Sequence, residues 1–171
     1  MNKYALTAEN IKMRYGENII LNEVSIHVEH RDIYGLVGKN GSGKTTLLRI
    51  LTGLIQNFNG TVSIAKTDGR ESRIAVVIND PSLFLNMSAF ENMKKQAYLL
   101  GLDDNSQIEQ LLKIVGLDSI NSKPVSQFSL GMMQRLKLAM ALLENPNILI
   151  LDEPMNGLDP DGVLWVRNLL K

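Results

Sequence analysis

Short apolar runs separated by polar breaks fill the first third of the chain. Tyr4 to Arg14, Glu23 to Val28 and Ile33 to Val37 are β-rich, and in the second run Val24, Ile26 and Val28 alternate with polar neighbours. A period of two predicts strands. After Val37 the pattern breaks at Gly38-Lys39-Asn40-Gly41-Ser42-Gly43 and resumes at helical spacing through Lys44 to Leu51, giving the order strand, glycine loop, helix. Thr61 to Ala65 and Ile74 to Ile78 are two further expected strands, divided by a charged turn from Lys66 to Arg73.

From residue 88 the period changes to that of a helix. Ser88-x-x-Glu91 and Ser106-x-x-Glu109 each match a capping box, ahead of Phe90, Met93, Ala97 and Leu100 or of Ile108, Leu111, Leu112 and Val115. Residues 86 to 123 therefore read as an all-helical insert. A third helix is expected from Ser129 to Glu144, with Leu130, Met133, Leu136, Met140 and Leu143 on one stripe, and it must stop at Asn145-Pro146. Ile148-Leu149-Ile150-Leu151 then gives four consecutive apolar residues, the pattern of a strand buried on both faces. A last helix is expected from Gly162 to Leu170. Strands alternating with helices place the chain in the α/β class.

Composition narrows the chemistry. With 44% hydrophobic residues among 171, the chain reads as one globular domain, and the absence of cysteine excludes disulfide scaffolds, thiol redox catalysis and zinc-thiolate sites. Eighteen basic residues balance 18 acidic ones, so bare nucleic acid or an anionic lipid surface has no electrostatic claim as main partner. No apolar run reaches the ~18 to 20 residues that cross a bilayer. The polar start Met1-Asn2-Lys3 does not read as a signal peptide, so a cytoplasmic location is expected. His27 and His30 read as solvated strand-end residues, and Met87, Met93, Met132 and Met133 as packing residues.

Two segments carry candidate chemistry on their own. Gly38-x-x-x-x-Gly43-Lys44-Thr45 fits a phosphate-binding loop. Its glycines let successive N–H groups turn toward phosphate oxygens, Lys44 supplies charge, and the Thr45 hydroxyl is a ligand for Mg²⁺. Ile148 to Glu153 places two acids at the end of an apolar strand, the edge where α/β sheets bind ligands. Asp152 suits the metal; Glu153 suits the water that attacks the γ-phosphate. Ser129, by spacing alone, is a helix N-cap.

Gly38 to Thr45, then Ser129-Leu130-Gly131 with Gln134-Arg135, then Ile148 to Pro154, then Gly157-Leu158-Asp159 together resemble the ATP-binding subunits of ABC transporters. The match runs from Tyr15 to Pro160, and Ser129-Leu130-Gly131 with Gln134-Arg135 is its most family-specific piece. Tyr98-Leu99-Leu100, Asn92 after Glu91, and Phe128 to Met132 resemble the bacitracin and lantibiotic immunity branch. The resemblance implies a phosphate-loop NTPase core with an antiparallel β subdomain and a helical signature subdomain over about 86–145. It implies a dimer in which two subunits sandwich two ATP molecules with Mg²⁺, beside a separate transmembrane permease at the inner face of the membrane.

Site residues follow from that resemblance one by one. Gly38, Lys39, Asn40, Gly41, Ser42, Gly43, Lys44, Thr45 and Thr46 would surround the phosphates. Tyr15, followed by Gly16, matches the aromatic residue that stacks on adenine, its plain alternative being a half-buried strand tyrosine. Ser129 and Gly131 match the signature residues that reach the partner's γ-phosphate. Asp159 matches the acid that crosses the dimer, and is also placed to N-cap the helix at Pro160. Where the strand Ile74 to Ile78 ends, family members carry glutamine or glutamate; Asn79 stands there instead, with a shorter reach toward ATP and Mg²⁺, beside Asp80. Ser82 to Glu91 line up with the groove that receives a helix of the permease.

The family's switch histidine lies beyond the end of this sequence at Lys171. The expectation is a domain incomplete at its C-terminal end that binds Mg-ATP and turns it over poorly. The function implied is ATP hydrolysis that powers transport, with the immunity branch pointing to export of a peptide or antibiotic. The alternative is a soluble ABC-type ATPase on ribosomes or DNA; such proteins usually show two cassettes or a long coiled-coil insert.

Overall fold

The computed structural model describes residues 3–67, 69–78, 83–118 and 122–170. It divides into two units, residues 1–74 and 75–171.

The first unit is built on strands β1 (Tyr4–Tyr15), β2 (Asn18–Glu29) and β3 (Asn59–Ile64), hydrogen-bonded in the order β2-β1-β3 with both pairings antiparallel. The register runs Tyr4↔Glu29, Thr7↔His27 and Tyr15↔Asn18 on one side of β1, and Leu6↔Ile64 and Lys12↔Asn59 on the other. Buried positions on β1 change parity, from Leu6 and Ala8 to Ile11 and Met13. The extra residue sits at a bulge, where Asn10 takes φ 53° and its N–H donates to Ser25 Oγ at 2.9 Å. The bulge keeps the apolar side chains on one face although the sequence alternation slips by one. His27 is exposed, as expected, and its ring lies 2.6 Å from a Glu9 carboxylate oxygen and packs tilted against Tyr4, with ring centroids 5.0 Å apart.

Helix α1 (Lys44–Leu51) buries Leu47, Ile50 and Leu51. A small hairpin of β4 (Lys66–Thr67) and β5 (Arg70–Glu71) follows β3. The strand expected at Ile33 to Val37 is not formed: residues 32–39 have no regular structure, and Val37 is 95% exposed. Apolar composition does not make a strand unless a neighbouring strand takes its N–H and C=O groups, and no ladder among the described residues includes this segment.

The second unit holds β6 (Ile74–Val77, its first residue at the boundary) and β7 (Ile148–Leu151), which pair with each other. Only Ile150 of β7 is buried; Ile148, Leu149 and Leu151 are half-buried, which corrects the expectation of a strand covered on both faces. Its ladder partner among the described residues is β6. Helices α2 (Ala89–Leu99), α3 (Asn105–Ile114) and α4 (Leu130–Leu142) share a core of Ala89, Met93 and Ala97, of Ile108, Leu111 and Leu112, and of Leu136 and Ala139. These are the i, i+4 and i, i+3 positions of each helix. Met93 is fully buried and Met132 and Met133 pack against the core, as read. A buried amide sits among them: Asn92 accepts from Phe84 N–H at 2.9 Å and donates to Phe84 O at 3.1 Å and Ser88 O at 2.9 Å. Helix α5 (Pro160–Leu169) closes the described chain, starting two residues earlier than expected. No helix among the described residues is long and apolar enough to cross a membrane.

Capping separates the two boxes predicted for the insert. At α2 the box is complete, with Glu91 N–H donating to Ser88 Oγ at 3.2 Å and Ser88 N–H to Glu91 Oε2 at 2.8 Å. At α3 it is absent, because Asp104 is the N-cap and takes both the N–H and the hydroxyl of Ser106, at 2.9 and 2.6 Å. Ser106 therefore lies inside the first turn. The N–H and hydroxyl of Ser88 hold the Glu91 carboxyl below the ordinary value of 4.5. A lowered folded-state pKa contributes stability that is present above the unfolded value and lost as pH falls through the folded one. Ser88→Ala should lower unfolding stability by about 1 kcal/mol, and Glu91→Gln should flatten the acid side of the stability profile below pH 4.5. Urea denaturation at several pH values checks both; an unchanged neutral midpoint for Ser88→Ala rejects the box as a stabilising device.

Candidate functional site

In the first unit the glycine loop is shaped by two left-handed residues, Gly41 at φ 78° and Gly43 at φ 90°. Side-chain-bearing residues rarely take such angles. Gly43 also lacks room: a Cβ there would lie 2.9 Å from Ile20 O and 2.9 Å from Leu21 Cδ2. At Gly38 a Cβ would come within 2.7 Å of Ser42 Oγ. The turn is closed by Ser42 N–H to Lys39 O at 3.1 Å, and Gly43 O accepts the first helical bond, from Leu47 N–H at 2.8 Å. No side-chain hydrogen bond caps the N-terminus of α1, and the positive end of its dipole there favours an anion. Lys44 turns back on the loop, donating from Nζ to Gly38 O at 2.8 Å and Lys39 O at 3.0 Å.

Tyr15, 53% exposed, ends β1 at the turn made by Gly16 at φ 58°. The contacts of Ile20 and Leu21 with Gly43 bring the hairpin that carries Tyr15 against the loop within the same unit. Thr45 and Thr46 are half-buried in the first turn of α1.

In the second unit Asp152 and Glu153 follow β7. Asp152 N–H continues the ladder to Val77 O at 2.8 Å, and the residue is half-buried. Glu153 is exposed and takes φ 48°, a left-handed conformation unusual outside glycine. Asn156 returns to it twice, through N–H to Glu153 O at 3.0 Å and through Nδ2 to Glu153 Oε2 at 3.1 Å. Asn156 is the residue that sequence reading missed; Pro154 with Asn156-Gly157 is a turn signal that marked the place.

Ser129 caps α4, its Oγ accepting from Met132 N–H at 3.2 Å, and Asp159 caps α5, accepting from Gly162 N–H at 2.8 Å. The two caps lie along one cleft of about 210 Å³, shared with Gly131, Gln134, Arg135 and Trp165. Leu130 lies directly over Gly157, where a Cβ would be 2.4 Å from Leu130 Cδ2, and Arg135 stacks on Trp165 at 4.7 Å. The second unit thus brings Ser129, Gly131 and Asp159 together, while the loop residues and Tyr15 gather in the first. Asn79, Asp80 and Ser82 lie outside the described residues. No cluster of three or more His, Cys, Asp or Glu side chains occurs among the described residues.

Residues 21–156 match the family described as ABC transporter. The chain is 42% identical over 172 residues to the lantibiotic transport ATP-binding protein SrtF of Streptococcus pyogenes, covering 97% of this chain and 73% of that protein. It is 38% identical over 174 residues to the bacitracin transport ATP-binding protein BcrA of Enterococcus faecalis, covering 98% of this chain and 56% of BcrA. Among solved structures, cbiO1 from Clostridium perfringens, part of the ABC transporter complex cbiONQ, gives a TM-score of 0.84 at 26% identity over 99% of this chain and 73% of that one. An ATP-binding cassette of an ABC transporter in its ADP conformation shares the fold, with a TM-score of 0.84 at 24% identity over 99% of this chain and 76% of that one.

Proposed function

The chain belongs to the ABC transporter family, as an ATP-hydrolysing, ATP-binding subunit, and from that premise we propose that it binds Mg-ATP between two such subunits and drives export of a peptide antibiotic through a separate membrane permease. Residues 1–171 act as one ATP-binding domain with its helical subdomain over about 86–145, stationed at the cytoplasmic face of the membrane. Its similarity to a lantibiotic and a bacitracin transport protein supports the class of cargo. The observation that carries the nucleotide reading is the loop itself: left-handed Gly41 and Gly43, an uncapped α1 N-terminus, and Lys44 within reach of the space they enclose.

The chain's own groups divide the work. Backbone N–H groups from Gly38 to Thr46 bind the phosphates, Lys44 exchanges two carbonyls for phosphate oxygens, and Tyr15 stacks on adenine. Thr45 and Asp152 offer the hard oxygen donors that suit Mg²⁺, with Asn79 as a further ligand. With few protein donors, the ion would keep water and phosphate oxygens around it, and bound there it would neutralise charge on the phosphates. Glu153 takes a proton from the attacking water, while Ser129, Gly131 and Asp159 complete the partner's site.

Lys44→Ala tests the reading. Loss of a charge-assisted contact worth roughly 1.5–3 kcal/mol should raise the dissociation constant for ATP by about tenfold to a hundredfold. Nucleotide titration of both proteins reads it; an unchanged constant rejects the loop as the phosphate site.

A further inference from the structure

Glu153 is held by its own loop in a way that bears on turnover. Its φ of 48° is strained for a residue with a side chain, and such strain persists only where the surroundings fix it. Asn156 is bonded to both the carbonyl and the carboxylate of Glu153. Its backbone N–H closes a β-turn on Glu153 O at 3.0 Å, with Pro154 in the second position that proline favours. A second turn follows, from Leu158 N–H to Met155 O at 3.3 Å, and Gly157 at φ 71° gives it the left-handed residue it needs. Around this framework the side chain of Asn156 reaches back and donates from Nδ2 to Glu153 Oε2 at 3.1 Å.

An exposed glutamate with three free side-chain torsions spends most of its time away from any one water. A general base must hold an oxygen about 2.6–3.2 Å from the proton it takes. We propose that Asn156 is a positioning residue for ATP hydrolysis: its amide fixes the Glu153 carboxylate through Oε2 and leaves Oε1 to receive the proton. This rests on the reading of Glu153 as the base. In the step it serves, the water oxygen bonds to the γ-phosphorus, the bond to the bridging oxygen of ADP breaks, and the water's proton passes to Oε1. The amide suits the task by charge and by reach. A carboxylate at position 156 has no proton to donate and sets two like charges side by side. A serine falls short of Oε2.

The test is steady-state phosphate release by the full-length chain in its transporter, with ATP affinity measured in parallel. Asn156→Ala should lower kcat about tenfold, the scale on which misplaced catalytic groups act, and leave the KM for ATP unchanged. Asn156→Asp keeps the side-chain shape and the turn, so it serves if the alanine variant does not fold. It should lower kcat and leave the KM for ATP unchanged, a split that a general loss of structure would not give. Parent kcat in these variants, with Glu153→Gln still inactive, overturns the positioning role alone. Parent turnover in Glu153→Gln overturns the base, and the positioning role with it.

Discussion

Glu153→Gln is expected to cut ATP turnover by about 10²- to 10⁴-fold while leaving nucleotide binding intact. Glutamine fills the same volume and can still accept from Asn156 Nδ2 through its amide oxygen, so the turn from Glu153 to Asn156 should survive. What it lacks is an oxygen that takes a proton. With Asp152 untouched, Mg-ATP would bind and remain, and a nucleotide-bridged dimer should accumulate. Size-exclusion chromatography with Mg-ATP reads the dimer, and phosphate release reads the turnover. A variant that hydrolyses ATP at the parent rate removes Glu153 from the role of base.

The second large effect is expected at Gly43. An alanine there meets two separate obstacles: φ of 90°, and a Cβ 2.9 Å from both Ile20 O and Leu21 Cδ2. The left-handed conformation costs an L-residue roughly 1–2 kcal/mol, and forcing extra volume against packed neighbours typically adds about 1–3 kcal/mol. Gly53 separates the two, since it has φ 74° and nothing within 4 Å of a Cβ. Gly53→Ala should show the conformational part alone. Urea denaturation of both variants should give the larger loss at Gly43, with ATP affinity falling there as well, because α1 and its N–H groups move when the loop shifts. Equal losses in the two variants would mean that the contact with β2 is not what fixes this glycine.

Much of this was legible in the sequence for reasons that are local. The spacing from Gly38 to Thr45 reads directly because glycine takes the left-handed angle found at Gly43 at little cost, where other residues rarely do. Ser88, Ser129 and Asp159 were placed as caps because a short polar side chain before an apolar period has one backbone task to do. Other features depend on neighbours that a linear reading does not contain. Ile33 to Val37 has strand composition, but pairing decides a strand, and 32–39 joins no ladder among the described residues. Ser106 has the right partner three residues on, yet Asp104, two residues back, takes its N–H first. The bulge at Asn10 shows in the sequence only as a polar residue interrupting an alternation. Asn92 and Asn156 are ordinary polar letters whose value lies in distances of 2.9 to 3.1 Å to groups that the fold brings to them.

The ammonium of Lys44 resting on Gly38 O and Lys39 O makes the glycine loop its own occupant. Any incoming anion competes with those two carbonyls for the ammonium. With the loop as the proposed phosphate site, a polyphosphate tail would meet that competition with several oxygens at once. When product left, the same carbonyls would receive the lysine again. One intraloop exchange would then let the loop empty and refill without losing its shape.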